Sequence, residues 1–168
     1  MNEVLDTLQP QEVFAQFKNI LSIPRPSKKE AKISQYLYDW GVSRGLETIR
    51  DEAMNVIIRK KASAGMEDRK TVCLQAHMDM VCEKNSDKNF NFETDSIETF
   101  VEDGWLKANG TTLGADDGIG VATALAILDS KTIAHPDLEC LFTVDEETGL
   151  TGAMALSPDA LHSSILIN

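Results

Sequence analysis

The sequence contains no excess of basic residues and no long hydrophobic run. Lysine and arginine number 16 against 27 aspartates and glutamates, which gives a formal net charge of -11. Such an acidic chain repels phosphate, so nucleic acids and anionic membranes are not expected as partners. Residues 1–8 have neither a basic segment nor an apolar run of signal-peptide length, and no segment reaches the roughly 18 apolar residues of a membrane span. These absences predict a cytoplasmic protein.

Cysteine is also scarce. The three cysteines form an odd number without C-x-x-C spacing, which argues against a disulfide framework and against a cysteine-based zinc site. Cys73 and Cys140 fall in apolar segments, so both are expected to be reduced thiols packed inside strands. With 42% hydrophobic and 26% charged residues, the 168 residues have the composition of one soluble globular domain.

What the sequence does contain is an alternation of helical and extended patterns. Apolar residues at helical spacing predict a helix over 11–21, and a capping box at Ser27 and Glu30 predicts a second helix that ends at Gly45. The other predicted elements are strands over 46–50, 55–61, 71–76, 97–101, 105–108, 138–144 and 164–167, with a buried helix over 118–128. This order predicts a layered α/β/α fold with a mainly parallel, or mixed, central sheet.

Three segments lie where such a sheet places ligands, at the carboxyl ends of strands: 76–79, 113–118 and 145–149. In the first, Asp79 stands two positions after His77 and could hold the ring nitrogen that does not touch a metal. Alone, this pair is weak evidence, because a histidine so placed is more often an ordinary surface or hydrogen-bonded residue.

The other two segments are acidic. Asp116 and Asp117 stand between glycines just before a helix, where adjacent charges favour a cation and one carboxylate can bridge two ions. They could equally stabilise a helix N-terminus, whereas a phosphate cradle is set aside because carboxylates repel phosphate. Glu146 and Glu147 could divide metal binding and proton transfer between them, or form an acidic loop in solvent.

Together, the three segments resemble a known family. Ala76-His-Met-Asp-Met80, Leu113-Gly-Ala-Asp-Asp-Gly-Ile-Gly120 and Asp145-Glu-Glu-Thr-Gly149 look like the successive metal-site motifs of the M20 family of dinuclear zinc peptidases. Gly118 stands where many tripeptidase and carboxypeptidase relatives carry lysine. In this respect residues 110–118 are similar to the aminoacyl-histidine (Xaa-His) dipeptidases.

The resemblance implies a role for each of five residues. His77 matches a ligand of one zinc, and Asp79 matches the catalytic-site carboxylate that orients it. Asp116 matches the aspartate that bridges both zincs, Glu147 a ligand of the second zinc, and Glu146 the general base. The implied reaction is hydrolysis of Xaa-His dipeptides, such as β-alanyl-histidine, with two zinc ions, or other divalent metals such as cobalt or manganese, in each complete site.

The resemblance also implies features outside these motifs. The peptide bond between Asp116 and Asp117 is expected to be cis, as in relatives. Relatives take one further acidic ligand and one further histidine ligand from segments beyond Asn168, and His135 and His162 match neither, so both are expected to be plain surface residues. Residues 1–168 are thus interpreted as the N-terminal part of a catalytic domain, without the dimerisation domain or the C-terminal part.

This interpretation leads to further expectations. With two protein ligands for each zinc, against the usual three of a catalytic site, the chain should bind zinc weakly and hydrolyse little alone. Exposed sheet edges should make it self-associate, while the full-length enzyme should be a homodimer. Two alternatives stay open: the same site acting on another peptide or on an N-acyl amino acid, and a non-catalytic binding or assembly module.

Overall fold

The predicted helices and strands begin and end within a few residues of their predicted bounds, whereas the 3-10 helix and the two short α-helices after residue 145 were not predicted. A computed structural model describes residues 2–168, in which a 3-10 helix covers Glu3–Thr7. The α-helices are α1 (Gln11–Leu21), α2 (Ala31–Ser43), α3 (Ala115–Asp129), α4 (Glu146–Gly149) and α5 (Thr151–Ala155). The strands are β1 (Glu47–Arg50), β2 (Val56–Lys60), β3 (Val72–His77), β4 (Thr99–Glu102), β5 (Trp105–Ala108), β6 (Leu138–Thr143) and β7 (Ile165–Ile167).

The central sheet has the strand order β1-β2-β6-β3-β7 and is mixed. Strand β3 pairs in parallel with β6 and β7, whereas β2 pairs antiparallel with β1 and β6. The prediction of a mainly parallel, or mixed, sheet is thus confirmed as a mixed sheet, whose β1 side is antiparallel. Only residues 51–55 join β1 to β2, and a connection that short cannot make the crossover that parallel strands require.

The parallel pair in the middle of the sheet positions the site. His77, the last residue of β3, lies opposite Thr143, the last residue of β6. Because both strands end at the same level, the loops that follow them leave the sheet side by side. Segments 77–79 and 144–147 therefore meet, as the sequence predicts.

The two faces of the central sheet carry hydrophobic clusters of different size. The main core contains buried residues of α1, α2 and α3 together with sheet residues such as Ile58 and Phe142. The other face carries a smaller cluster of Ile57, Cys73 and Leu141 against the segment 156–161, which is not helical. The layered α/β prediction is confirmed, with the main helical layer on one face of the sheet.

The surface hairpin and the cysteines agree with the sequence. Strands β4 and β5 pair antiparallel, and the turn residues Asp103 and Gly104 both have positive φ, as tight hairpins require. Cys73 and Cys140 are buried free thiols in β3 and β6. Burial raises the pKa of Cys73 to about 11. Within residues 2–168, the helices are all too short or too polar to cross a bilayer.

The predicted capping box at Ser27 and Glu30 is wrong. The Ser27 hydroxyl donates to Asp79 Oδ2 at 2.7 Å instead of capping a helix. Glu30 is 1% exposed, and its Oε1 accepts from the backbone N–H groups of Lys28 at 2.8 Å and Asp145 at 2.9 Å. Buried carboxylates need donors wherever the fold supplies them, and here Ser27 bonds to a distant loop while Glu30 accepts from one local and one distant amide.

The two remaining histidines differ from each other. His162 is exposed, as expected. His135 is only 6% exposed, so the prediction of a surface residue is wrong. The loop around Ser63 packs over it: the Ser63 N–H donates to the His135 carbonyl, and the His135 N–H donates to Ser63 Oγ, both at 2.9 Å.

Candidate metal centre

Three loops bring the candidate residues to one edge of the sheet. His77 ends β3, and Glu146 begins the short helix α4 just after β6. Asp116 lies at a kink in the first turn of α3, where it and Asp117 have non-helical backbone angles. The bond between these two aspartates is cis, as the sequence resemblance implied.

His77 presents its two ring nitrogens to different carboxylates. Nδ1 lies 3.3 Å from Asp79 Oδ1, and Nε2 lies 3.0 Å from Asp116 Oδ1. The residue is 7% exposed, so its ring has little freedom. A histidine held by a carboxylate at one nitrogen, with the other facing an acidic cluster, has the usual orientation of a metal ligand.

Asp79 connects two of the loops. It is fully buried, and besides His77 and Ser27 its carboxylate accepts from the backbone N–H of Glu146 at 3.1 Å and of Glu147 at 3.3 Å. Burial by itself would raise the pKa of Asp79, but the hydrogen bonds from His77, from Ser27 and from the two amides lower it to about 2. This charged group therefore fixes the His77 ring and the glutamate loop together.

A possible ligand set lies next to that anchor. His77, Asp116 and Glu147 each offer a ligand atom, and these atoms lie within 4.8 Å of one another. Glu146 Oε2 lies 3.7 Å from His77 Nε2. One imidazole nitrogen and carboxylate oxygens form a donor set that zinc accepts, so the residues present fit such an ion.

The electrostatics of the cluster also favour a cation. Burial and the charges of Asp116, Glu146 and Asp79 raise the pKa of Glu147, against the opposing effect of His77. Burial would lower the pKa of His77, but its hydrogen bonds with Asp79 and Asp116 raise that pKa to about 9. The histidine is thus protonated at neutral pH in the metal-free chain, and a metal has to displace this proton.

The sequence and the fold of this chain are similar to those of known proteins. Residues 73–165, more than half of the chain, match the sequence profile of Peptidase family M20/M25/M40. The chain belongs to this family. A protein of Escherichia coli (strain K12) named cytosol non-specific dipeptidase is 46% identical over 164 residues, which are 98% of this chain and 34% of the relative.

Solved structures of M20 relatives extend the comparison. An aminoacylhistidine dipeptidase from Vibrio alginolyticus matches with a TM-score of 0.95 and 46% identity, over 99% of this chain and 34% of that one. A Bacillus subtilis protein described as a dinuclear metal binding peptidase of the M20 family has a TM-score of 0.51 and 16% identity, over 87% and 37% of the two chains, and shows the fold alone. The chain spans about a third of the length of these relatives.

In this M20 chain, the structure brings together all five residues that the sequence singled out. His77, Asp116 and Glu147 form the possible ligand set, Glu146 lies beside it, and Asp79 lies behind His77. The possible ligand groups found among residues 2–168 include neither His135 nor His162. The roles of the five residues stay proposals.

A second acidic cluster lies deeper in the same edge. Glu30, Asp79 and Asp145 are all buried, and they too offer oxygens within 4.8 Å of one another. These oxygens already have protein donors: two backbone N–H groups bind Glu30, and the hydroxyls of Thr148 and Thr151 bind Asp145. The cluster is therefore a hydrogen-bonded support for the loops.

Sequence reasoning missed three residues of this support, namely Arg25, Ser27 and Glu30. Each is hydrogen bonded to a loop of the site from a segment that the sequence presents as a break between two helices. One signal was available: Arg25 stands between two prolines, Pro24 and Pro26, which hold its backbone extended and out of either helix.

An open depression of about 590 Å³ lies beside the cluster. His77, Asp116 and Glu146 form its polar side, and Leu150, Leu156 and Leu161 contribute an apolar side. A small molecule with an apolar group and a reactive polar bond could lie there with that bond at the candidate ligands.

Proposed function

We propose that this chain carries part of the active site of a metal-dependent dipeptidase. The observation that supports it most strongly is the convergence of His77, Asp116 and Glu147 within ligand distance, beside Glu146. Membership of the M20 family and the names of two relatives, both dipeptidases, agree with this activity. These relatives are about three times as long as the chain, so the activity is proposed for the whole enzyme.

Five residues divide the work in this proposal. His77 and Asp116 would hold one zinc ion, and Asp116 and Glu147 a second. Bound metal would supply Lewis acidity to the scissile carbonyl and to the attacking water. Glu146 would take the proton of that water and deliver it to the leaving amine.

Asp79 acts on the ligands in this proposal. Its carboxylate lies 3.3 Å from Nδ1 of His77 and its backbone carbonyl oxygen lies 3.2 Å from the same nitrogen, which would leave Nε2 for the metal and make the ring a stronger ligand. Its bonds to the amides of Glu146 and Glu147 place the base and the second ligand at fixed distances from the same ring. Loss of Asp79 would therefore disturb both.

The substrates that we propose are dipeptides, with Xaa-His dipeptides among them. The relatives are named a non-specific dipeptidase and an aminoacylhistidine dipeptidase, which supports a dipeptide more than a longer peptide. A panel of Xaa-His dipeptides, tripeptides and N-acyl amino acids separates these substrates. Faster hydrolysis of tripeptides or N-acyl amino acids than of dipeptides would refute the dipeptidase assignment.

We further propose a cytoplasmic enzyme that acts as a homodimer, and a chain of 168 residues that associates with itself. The name of the Escherichia coli relative supports the compartment. Association is supported by β7, an edge strand whose Ile165, Leu166 and Ile167 are exposed. A single monomeric species in sedimentation at all concentrations would contradict the association.

Zinc titration by calorimetry tests the metal site directly on this chain. Wild type should bind zinc weakly, because His77, Asp116 and Glu147 supply fewer ligands for each ion than a closed site does. His77→Ala and Asp116→Ala should abolish the binding, and His162→Ala, a change at an exposed histidine elsewhere, should retain it. Equal binding by wild type and His77→Ala would refute the site.

An activity assay that compares wild type with Glu146→Gln tests the base. Any zinc-dependent dipeptide hydrolysis should fall by about a hundredfold or more in Glu146→Gln, the usual effect of losing a general base. Zinc binding should stay within about a factor of three of wild type, because Glu146 is not among the proposed ligands. Unchanged hydrolysis in Glu146→Gln would exclude its role as base.

A further inference from the structure

Arg25 is buried at the edge of the sheet without an ion pair among residues 2–168. It is 2% exposed, a rare state for an arginine. Burial lowers its pKa to about 10, against the opposing charges of Asp79 and Asp117. The guanidinium therefore stays charged at neutral pH, and its N–H groups need acceptors close by.

Backbone carbonyls of two metal-site loops are those acceptors. Nη1 donates to the carbonyl oxygens of Met78 at 3.2 Å and Asp79 at 3.1 Å, directly after His77. Nη2 donates to the carbonyl oxygen of Gly114, two residues before Asp116. One rigid fork thus joins the loop of the histidine ligand to the loop of the bridging aspartate.

Two glycines of the Asp116 loop leave room for this side chain. A Cβ added at Gly114 would lie 2.5 Å from Nη2 of Arg25, and one added at Gly118 would lie 2.6 Å from the same atom. Both distances are shorter than van der Waals contact, and the guanidinium cannot move aside without losing its carbonyls. Part of the glycine pattern in this loop is therefore explained by Arg25.

The segment around Arg25 also contacts the third loop indirectly. The Arg25 carbonyl accepts from the Met80 N–H at 3.2 Å, and Ser27 donates to the Asp79 carboxylate. Asp79 in turn accepts from the amides of Glu146 and Glu147. A continuous set of hydrogen bonds thus connects Arg25 with all three loops.

We infer that Arg25 is a positioning residue, whose guanidinium fixes the spacing between His77 and Asp116 and thereby the geometry offered to the metal. This inference rests on the proposed metal site. It assigns a function in the site to the segment between the first two helices. Lysine should not replace this arginine, because an ammonium group cannot reach both loops with a fixed fork.

Cobalt(II) is a suitable probe, since it accepts the ligands that zinc accepts and its visible absorption reports their geometry. Arg25→Lys should weaken cobalt binding by about tenfold or more, as loss of a residue that orients ligands does, and should change the absorption bands. The matched control is Arg59→Lys, a largely buried arginine bonded to Glu139 away from these loops. It should leave affinity and spectrum unchanged.

A measurement without metal separates this inference from the proposed function. In metal-free Arg25→Lys, the amides of Glu146, Glu147 and Met80 should exchange with deuterium faster than in wild type. Amides of the paired strands β2 and β6 should keep their wild-type rates in the same sample. If wild type bound no cobalt, the metal site would be refuted, and the exchange rates would still decide the role of Arg25.

Gly118→Ala is a second variant that keeps Arg25 itself. Alanine suits a helix, so the change should preserve the helical circular dichroism, while its Cβ displaces the guanidinium. Like Arg25→Lys, it should raise the exchange rates of the Glu146, Glu147 and Met80 amides and weaken cobalt binding. Wild-type exchange, cobalt affinity and spectrum in a folded Arg25→Lys or Gly118→Ala protein would overturn the inference.

Discussion

Acidic side chains lie at both ends of the central sheet, but they differ in how fully the protein supplies them with hydrogen-bond donors. At the amino end of β6, Glu139 is 2% exposed and accepts from Arg59 Nε at 2.9 Å, from the His162 N–H at 2.9 Å and from the Ser163 N–H at 2.8 Å. The Ser163 hydroxyl donates to it as well. Protein donors thus satisfy this carboxylate from several directions.

At the carboxyl end of the sheet, the carboxylates are less well satisfied. The Asp116 side chain is 86% exposed. Burial and the neighbouring acidic charges raise the pKa of Glu147. The first arrangement stabilises the fold, and the second leaves oxygen atoms for a ligand. Asp79 accepts from Ser27 and from the amides of Glu146 and Glu147, whereas the hydrogen-bond partner of Asp116 is His77, itself a proposed ligand. This difference separates the supporting carboxylate from the proposed site.

The largest effect on stability is expected from the loss of Glu139, whose carboxylate has several protein donors. Glu139→Ala should lower the free energy of unfolding by about 3 kcal/mol, because Arg59 and the N–H groups at 162 and 163 lose their buried partner. Urea denaturation measures this. Glu47→Ala is the control: Glu47 also pairs with Arg59, at 2.6 Å, but is 59% exposed, so its loss should cost less than about 1 kcal/mol. Equal losses would contradict the comparison.

Zinc should stabilise the other end of the sheet. At a zinc concentration a hundred times its Kd, the free energy of unfolding should rise by about 2.7 kcal/mol through mass action. Thermal melts with and without zinc measure the increase, and His77→Ala should show none. A similar increase in the variant would place the bound zinc elsewhere.

Glu139 should also make the free energy of unfolding depend on pH. Burial acts to raise the pKa of Glu139, but hydrogen bonds from Ser163 and Arg59 outweigh it and hold the pKa below its ordinary value of 4.5. A lowered pKa in the folded state means stabilisation that is complete above the ordinary value and lost as the pH falls below it. At pH 7, the free energy of unfolding of wild type should be about 1 to 2 kcal/mol higher than that of Glu139→Gln.

That difference should shrink as the pH falls from 4.5 through the lowered folded-state pKa. Urea denaturation of both proteins across this range shows the convergence. A difference that stayed constant, or grew, as the pH fell would exclude ionised Glu139 as its source.

The smallest effect on stability is expected at the candidate ligands. Metal-free Asp116→Asn should unfold within about 0.5 kcal/mol of wild type, as for other exposed side chains. Asp79→Asn should cost about 2 kcal/mol, because it removes the buried charge and replaces one of the two oxygens that serve four donors with an NH2 group. Urea denaturation without metal measures both changes in the free energy of unfolding. Similar decreases for the two variants would contradict the assignment of Asp116 as a ligand and Asp79 as a supporting residue.

The sequence predicted the parts of this structure that depend on local pattern. Helical and strand periodicity located the elements, and the rule that sites form at strand ends located the loops of His77, Asp116 and Glu146. These residues follow their strands or open their helices directly, so their positions need little knowledge of packing. Their chemical roles came from the family resemblance and remain to be tested.

The rest depended on contacts between distant segments. Arg25 and Gly114 are 89 positions apart, and Glu30 and Asp145 are 115 apart, so no local pattern could reveal either pair. The capping box failed for the same reason, since Ser27 and Glu30 bond to distant loops. His135 was misjudged because the loop that buries it is polar and distant in sequence.

Anomalous diffraction at the zinc edge, from crystals of the zinc-soaked chain, tests the central claim most directly. The account expects a peak within bonding distance of His77 Nε2, about 2.0 to 2.1 Å, with Asp116 as a second ligand. It also expects the peak to vanish in crystals of His77→Ala. A peak that survived in His77→Ala, or lay away from His77, Asp116 and Glu147 in wild type, would contradict the account.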